Sequence, residues 1–558
     1  MSVKDKFSIN YENVHQIDLQ SIKSQFKPCS DDEESQYNPF NISNIQNYIP
    51  TYDLFFNMNP SNYNEISLNK RRTFKDLHHV YDDKNIIEKN VFIKYSPLLD
   101  PIKYMIGKYD LDDDSIRQLP SIENQVCNEK ISSKNNSSYV DNFFSYLSGR
   151  MLHHYNLVNC VDYYGTYLCI QDKFKMNITD DYDYLHDSNF FYNNINKHWS
   201  ITKLDILQQF MGNNSRNNRV KVDISDENII LEDVEELEEP QCSQEQCFTN
   251  IEEVLDTFTS DSTDTIELAN DNSSNESDSD ECSSGEEEDY DDNSENYEDD
   301  DDSDIVEIPD NVNIFAYINN FPVQMICLDK CDGTMDSLFE EESMTEQLAI
   351  SALMQVIMIL IIFQKAFHFT HNDLHTNNIM YVNTDIEFLY YEYNHKRYKV
   401  PTYGKIYKII DFGRSIYKFQ KQIYCSDSFA PKGDASTQYN CKPFLNPNKP
   451  IIEPNMSFDL CRLGCSIFDF ILEDIKQKPT NSLEEVILRW TTDDNGVNIL
   501  YKQDGSERYP DFKLYKMIAR NVHNHTPDKQ LEFDTFKQFL NDECSDNVMN
   551  IDEIHVYV

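Results

Sequence analysis

His371-Asn372-Asp373-Leu374-His375-Thr376-Asn377-Asn378, followed by Ile410-Asp411-Phe412-Gly413, decides how the rest of this chain is read. The first block sets an aspartate five residues before an asparagine in an H-x-D-L-x-x-x-N pattern. The second places D-F-G at the end of Ile406-Tyr407-Lys408-Ile409-Ile410, whose alternation is that of a strand. Ahead of both lies Leu353 to Phe363, eleven residues that are apolar except for Gln355. A membrane-spanning helix needs about twenty such residues. The run is therefore expected to be a core helix, buried on all sides and leading into the loop at His371.

The two blocks together resemble the catalytic loop and the metal-binding triplet of protein kinases. Phosphoryl transfer needs a carboxylate to accept the attacking hydroxyl's proton, and an amide and a second carboxylate to hold magnesium on the phosphates. Asp373, Asn378 and Asp411 are those residue types in that order. The whole pattern is similar to the kinase-like proteins of giant DNA viruses, over about 62–172 and 312–542. The resemblance implies an α+β, bilobal fold: a small antiparallel-sheet N-lobe and a mainly helical C-lobe, with ATP and Mg2+ as cofactors. Asp373 would be the base, and Asn378 and Asp411 the metal ligands.

Upstream, Val91-Phe92-Ile93-Lys94-Tyr95 alternates and is rich in β-branched and aromatic residues, which predicts a strand. The resemblance makes Lys94 the lysine that holds the α- and β-phosphates. Val140, Phe143, Phe144, Leu147 and Met151 recur at helical steps and predict a helix over about 138–154. The glutamate that would pair with the strand lysine is missing from mid-helix. Asp141, near the start, is read as a carboxylate favoured by the helix macrodipole. Cys160 to Ile170 reads as a strand pair. Val323 to Leu328 reads as a strand running into Asp329-Lys330-Cys331-Asp332, which resembles the kinase hinge. Leu328 would be the gatekeeper, with Asp329 and Cys331 offering backbone groups to adenine. A hairpin is expected over 387–391 and 397–400. Asp459-Leu460-Cys461-Arg462-Leu463-Gly464 resembles the start of the helix that anchors the catalytic loop. Asp459 would bond that loop's backbone, or act as a helix N-cap.

These segments divide the chain into an N-terminal extension (1–61, partly disordered), the first part of the N-lobe (62–172), an insertion (173–311), the last N-lobe strand and hinge (312–330) and the C-lobe (331–558). The insertion holds an acidic tract from Asp256 to Asp310, including Glu298-Asp299-Asp300-Asp301-Asp302. Such a run buries too little apolar surface to offset its ordering entropy, so disorder is expected. It reads as a solvated spacer, with docking of a basic partner as the functional alternative.

Lys and Arg total 48 against 98 Asp and Glu, a net charge of −50. Phosphates would be repelled, which argues against direct nucleic-acid binding. The 14 cysteines are scattered. Cys242 and Cys247 lie close together without a second ligand pair at zinc-site spacing, and Cys461 and Cys465 look like small core residues. A reducing intracellular compartment (host cytoplasm, or a virion) and no structural metal are expected. Met1 to Lys6 carries no apolar signal region, so neither secretion nor a membrane span is expected.

Three departures from the kinase pattern matter. No glycine precedes Gly107, so nothing upstream of Lys94 forms G-x-G-x-x-G, and the Lys70-Arg71-Arg72 turn is expected to approach the phosphates instead. Asn372 replaces the arginine of H-R-D, which argues against control through a phosphorylated activation loop. His375 replaces the lysine that steadies the γ-phosphate, an arrangement shared with haspin-like and small-molecule kinases. The reading is a kinase acting on serine or threonine hydroxyls of a protein substrate. The alternatives are a pseudokinase scaffold working through its acidic insertion, and a small-molecule kinase.

Overall fold

The computed structural model describes residues 5–27, 37–123, 126–203, 313–510, 512–542 and 547–558, all in the unit formed by Met1–Leu204 and Pro309–Val558. The acidic tract at 256–310, Cys242 and Cys247 lie outside the described residues. The fold is mixed α and β, with several small antiparallel sheets.

The largest sheet is built on two long strands, Tyr163–Asn177 and Phe315–Asp329, which pair antiparallel along most of their length. The Lys94 strand, Val91–Pro97, flanks the second of them, with Ile326 opposite Lys94 and Leu328 opposite Phe92. Opposed residues of an antiparallel pair share a face, so Lys94, Ile326, Phe92 and Leu328 point to one side. Helix Ser137–Tyr155 starts where the Asn136 side chain accepts the Ser138 N–H, and it ends at Asn156, whose φ of 61° is left-handed. Val140, Phe143, Phe144, Leu147 and Met151 are all fully buried. Gly149 lets the helix close on the sheet: a Cβ there would lie 2.9 Å from Tyr163 Cβ.

The rest of the unit is organised around helix Glu346–Phe367, capped by Thr345 and ended by His368 in a left-handed conformation. Among the described residues it is the one helix long and apolar enough for a membrane span, and it is buried within the protein. Its packed side chains, such as Ile357, Leu360 and Ile361, each gain roughly 1.5–3 kcal/mol from burial. Gln355 is paid for by bonds to Tyr407 N–H and Asn159. Strands Ile379–Asn383 and Lys405–Ile409 pair antiparallel beside this helix, and the expected hairpin spans Phe388–Tyr393 and Lys396–Pro401. Helices Phe458–Ile471, Ser482–Trp490 and Phe512–Asn521 follow, with Cys461 and Cys465 buried.

Two expectations are corrected here, and a third, the partly disordered N-terminal extension, is made specific. Cys160 to Ile170 is not a strand pair: a single strand runs on to Asn177, with Gly165 (φ 138°) accommodated inside it. The segment from 173 also continues the fold, through short helices Tyr182–His186 and Asn189–Asn194 and strand Trp199–Ile201, which pairs with Phe315–Asp329. Finally, the N-terminal extension is not loose throughout. Ile42–Gln46 adds a strand to the main sheet, and Phe7 stacks on Tyr557 at 4.3 Å. Its apolar residues are few, but Ile22, Phe40, Tyr48, Ile49 and Tyr52 are all buried.

Candidate functional site

Lys94 Nζ lies 2.6 Å from Asp141 Oδ2 and 2.9 Å from Asp411 Oδ1. Asp141 is thus no mere helix-start carboxylate. It sits in the fifth position of its helix, is buried, and its Oδ1 accepts the Phe412 N–H at 2.9 Å. Helix packing, rather than the macrodipole, sets its role: the buried face of Ser137–Tyr155 aims it at the Lys94 strand. Burial raises the Asp141 carboxyl, Lys94 opposes that, and Asp411 adds to the rise. Asp411, although its side chain is nearly half exposed, is held well below the usual carboxylate range by the Lys94 ammonium. For Lys94, burial lowers the ammonium pKa and the two carboxylates more than restore it, so the cation persists.

Asp411 has a left-handed φ of 63°, and Phe412 packs into a ring cluster with Phe144 (4.6 Å), Phe369 and His371. That cluster fixes the D-F-G turn beside the 371–378 loop. His371 Nε2 donates to the Ile410 carbonyl (2.9 Å) and Ile410 N–H donates to the Asn378 carbonyl (3.0 Å), so the two blocks are stitched together. Asp459, fully buried, accepts the His371 and Asn372 N–H groups, each at 2.9 Å. Its role is to bond the loop backbone and not to cap its own helix. Asn372 has a structural role. It is left-handed and buried, its amide donates to the Thr370 and Arg414 carbonyls, and it accepts Tyr439 OH.

Asp373 Oδ1 accepts Tyr515 OH at 2.8 Å, and Oδ2 is 4.0 Å from Arg414 Nε. The Asn378 amide donates to the Asp373 carbonyl (2.9 Å) and to His375 Nε2 (3.0 Å). The acceptor role at Nε2 requires a neutral ring, and burial lowers the His375 pKa to match. His375 therefore supplies no fixed cation. Asn378 Oδ1 is the side-chain oxygen that could serve a metal together with Asp411, which Lys94 keeps ionised. A neutral oxygen plus an anionic one fits magnesium, which binds through few protein ligands and completes its shell with phosphates and water. Among the described residues there is no cluster of three or more His, Cys, Asp or Glu.

At the expected hinge, Leu328 is buried. Asp329 N–H donates to the Asp162 carbonyl, so Asp329 is left with its own carbonyl to offer, while its carboxylate accepts Tyr164 OH at 2.9 Å. Among the described residues none accepts the Cys331 N–H, as a hinge donor requires. The Lys70–Arg72 turn does not serve phosphates. Lys70 bonds Glu12, Arg71 bonds Asp82 and Asp83, and Arg72 bonds Asp82 and Asp162. All three charges meet carboxylates, Asp82 and Asp83 across the hairpin and Glu12 and Asp162 from distant segments.

Around Asp373 opens a cavity of about 570 Å³ whose lining includes Asp336, His375, Arg414, Arg462, Asp469 and Tyr515. Sequence reasoning gave no role to Arg414, which follows D-F-G, to Arg462, within the 459–464 segment, or to Tyr515, which belongs to no spaced motif. Beyond D-F-G, Asp427 accepts the Ser137 N–H at 3.1 Å and lies 2.5 Å from Lys130 Nζ, tying that segment to the start of helix Ser137–Tyr155. No protein-family model matches this chain, and no curated protein matches it either.

Proposed function

We propose that the chain is a protein kinase of bilobal fold, transferring the γ-phosphoryl group of ATP to serine or threonine hydroxyls of a protein substrate. The observation that carries this reading is the placement of Lys94 between Asp141 and Asp411, next to a loop that presents Asp373 and Asn378. Lys94 would hold the α- and β-phosphates, with Asp141 fixing its position. Leu328 would back the adenine, and the Asp329 carbonyl and Cys331 N–H would bond its edge. Asn378 and Asp411 would hold magnesium, whose charge offsets that of the phosphates. The acceptor oxygen forms its bond to the γ-phosphorus as the bridging oxygen departs with ADP, and Asp373 takes the hydroxyl proton. The acidic insertion would dock a basic partner, in a reducing compartment of the host cell or in a virion.

A small-molecule kinase is the second reading, favoured by the neutral His375 where protein kinases carry a lysine. A scaffold without activity is the third, favoured by the absence of any glycine before Gly107. Radiolabelled ATP with basic and acidic protein substrates tests the first reading, and loss of ATP with added small-molecule acceptors separates the second from the third. Turnover should fall about two to four orders of magnitude in Asp373→Asn, the range of a lost general base, with ATP affinity nearly constant. A folded wild type that labels no protein, with Asp373→Asn indistinguishable from it, defeats the protein-kinase reading.

A further inference from the structure

Tyr515 stands 142 positions from Asp373 in sequence, yet its hydroxyl donates to Asp373 Oδ1 at 2.8 Å. The ring is held from several sides. The Arg462 guanidinium lies 5.1 Å and the Arg414 guanidinium 5.8 Å from its centroid, Phe512 is at 5.5 Å and Phe458 at 6.1 Å. Arg414 is in turn held by Asp434 and stacks over Phe512 at 4.8 Å. The phenol is half-buried, and its ring contacts and its bond to Asp373 hold it at the edge of the cavity. Its bond takes one carboxylate oxygen and sets the rotation of the group. The other oxygen, Oδ2, accepts no hydrogen bond from the described residues and lies beside Arg414 in the same cavity.

We propose that Tyr515 is a positioning residue for Asp373: by occupying Oδ1 it turns Oδ2 toward the acceptor hydroxyl, and Arg462 holds the ring in place for that task. This rests on the phosphoryl-transfer reading above. Misplacing a reacting group by about 1 Å costs on the order of 100-fold in rate, and the loss of this single hydrogen bond should approach that.

The test is a double-mutant cycle on the full chain, with Tyr515→Phe, Asp373→Asn and the pair, read by steady-state phosphoryl transfer and thermal melting. Tyr515→Phe keeps the ring and its packing. It should lower kcat about 10- to 100-fold, leave KM for ATP and for the acceptor within about threefold, and leave the melting midpoint unchanged. In the Asp373→Asn background the same substitution should do nothing further. Effects that multiply independently, an unchanged kcat or a faster Tyr515→Phe enzyme would each overturn the proposal while the kinase reading stands. A wild type that transfers no phosphoryl group brings both down.

Discussion

Lys94 and Asp141 meet at 2.6 Å with the carboxylate buried on both its oxygens, one on the ammonium and the other on the Phe412 N–H. The strand lysine, the helix and the D-F-G turn are therefore held by a single side chain. Removing one partner of a buried pair leaves the other charge uncompensated, at a cost of about 3–5 kcal/mol where it cannot relax. Asp141 can relax by taking up a proton, because burial already raises its pKa.

Lys94→Met should therefore destabilise the protein by about 3 kcal/mol at pH 8, the lower end of that range, and by less at pH 5. In the variant the folded state holds a proton on Asp141 at pH values where the unfolded chain does not. Stability must then fall as pH rises. Urea denaturation at pH 5, 6.5 and 8 measures it. A deficit that is constant with pH would mean that Asp141 finds another counter-charge. On the kinase reading, the same variant loses nucleotide affinity as well as turnover, since the lysine would contact phosphates before the transition state.

Asp459→Ala tests the support of the 371–378 loop. It would leave the His371 and Asn372 N–H groups buried without acceptors, at a cost of about 2–5 kcal/mol for the two. Asp459→Asn retains one accepting oxygen and should lose roughly half of that. Chemical denaturation ranks the three proteins. Equal stability of Ala and Asn variants would show that the loop rearranges to satisfy itself.

The residues read most directly from sequence are those whose relationship is local. Asp373, Asn378 and Asp411 sit at fixed spacings on a loop and a turn, and Lys94 lies on a strand with an unmistakable alternation. Asp141 was misjudged because its partner is chosen by how a helix packs, which no spacing records. The Lys70–Arg72 turn looked like a free cationic loop because its counter-charges come from across the hairpin, in Asp82, and from distant segments, in Glu12 and Asp162. Strand Ile42–Gln46 has no clean alternation of its own, and its pairing partner, Tyr163–Asn177, supplies the reason it is extended. Tyr515 had no signal at all: only the packing of helix Phe512–Asn521 brings it to Asp373.

The points where the chain leaves and re-enters the described fold are anchored together. Ile201 pairs with Ala316, and Thr202 and Phe315 exchange two hydrogen bonds, at 2.9 and 2.8 Å. Deleting Asp256 to Ser303 shortens the connection between ends that are already joined. Each doubling of loop length changes closure by only about 0.6 kcal/mol, and this deletion shortens the loop by less than half. The melting midpoint and nucleotide affinity should stay at wild-type values or rise slightly. A fall of more than a few degrees would mean that the deleted residues pack against the fold.

On the kinase reading, Asp411→Asn isolates the metal. It swaps an ionised oxygen for a neutral one of the same shape, at a side chain nearly half exposed, so little stability should be lost. The substitution also removes the charge that adds to the rise of Asp141, which leaves the Lys94–Asp141 pair intact or tighter. Nucleotide binding through Lys94 alone should survive, and only its magnesium dependence should suffer. Affinity for ATP at saturating magnesium is expected to fall on the order of 10- to 100-fold, at least what an outer-sphere partner is worth to a metal site. Without magnesium the variant and wild type should differ by less than about threefold, because the substitution leaves the Lys94 contact in place. Fluorescent-nucleotide titrations with and without magnesium provide the comparison. Affinity indifferent both to the metal and to the substitution would remove Asp411 from the role of ligand and leave the scaffold as the better reading of the chain.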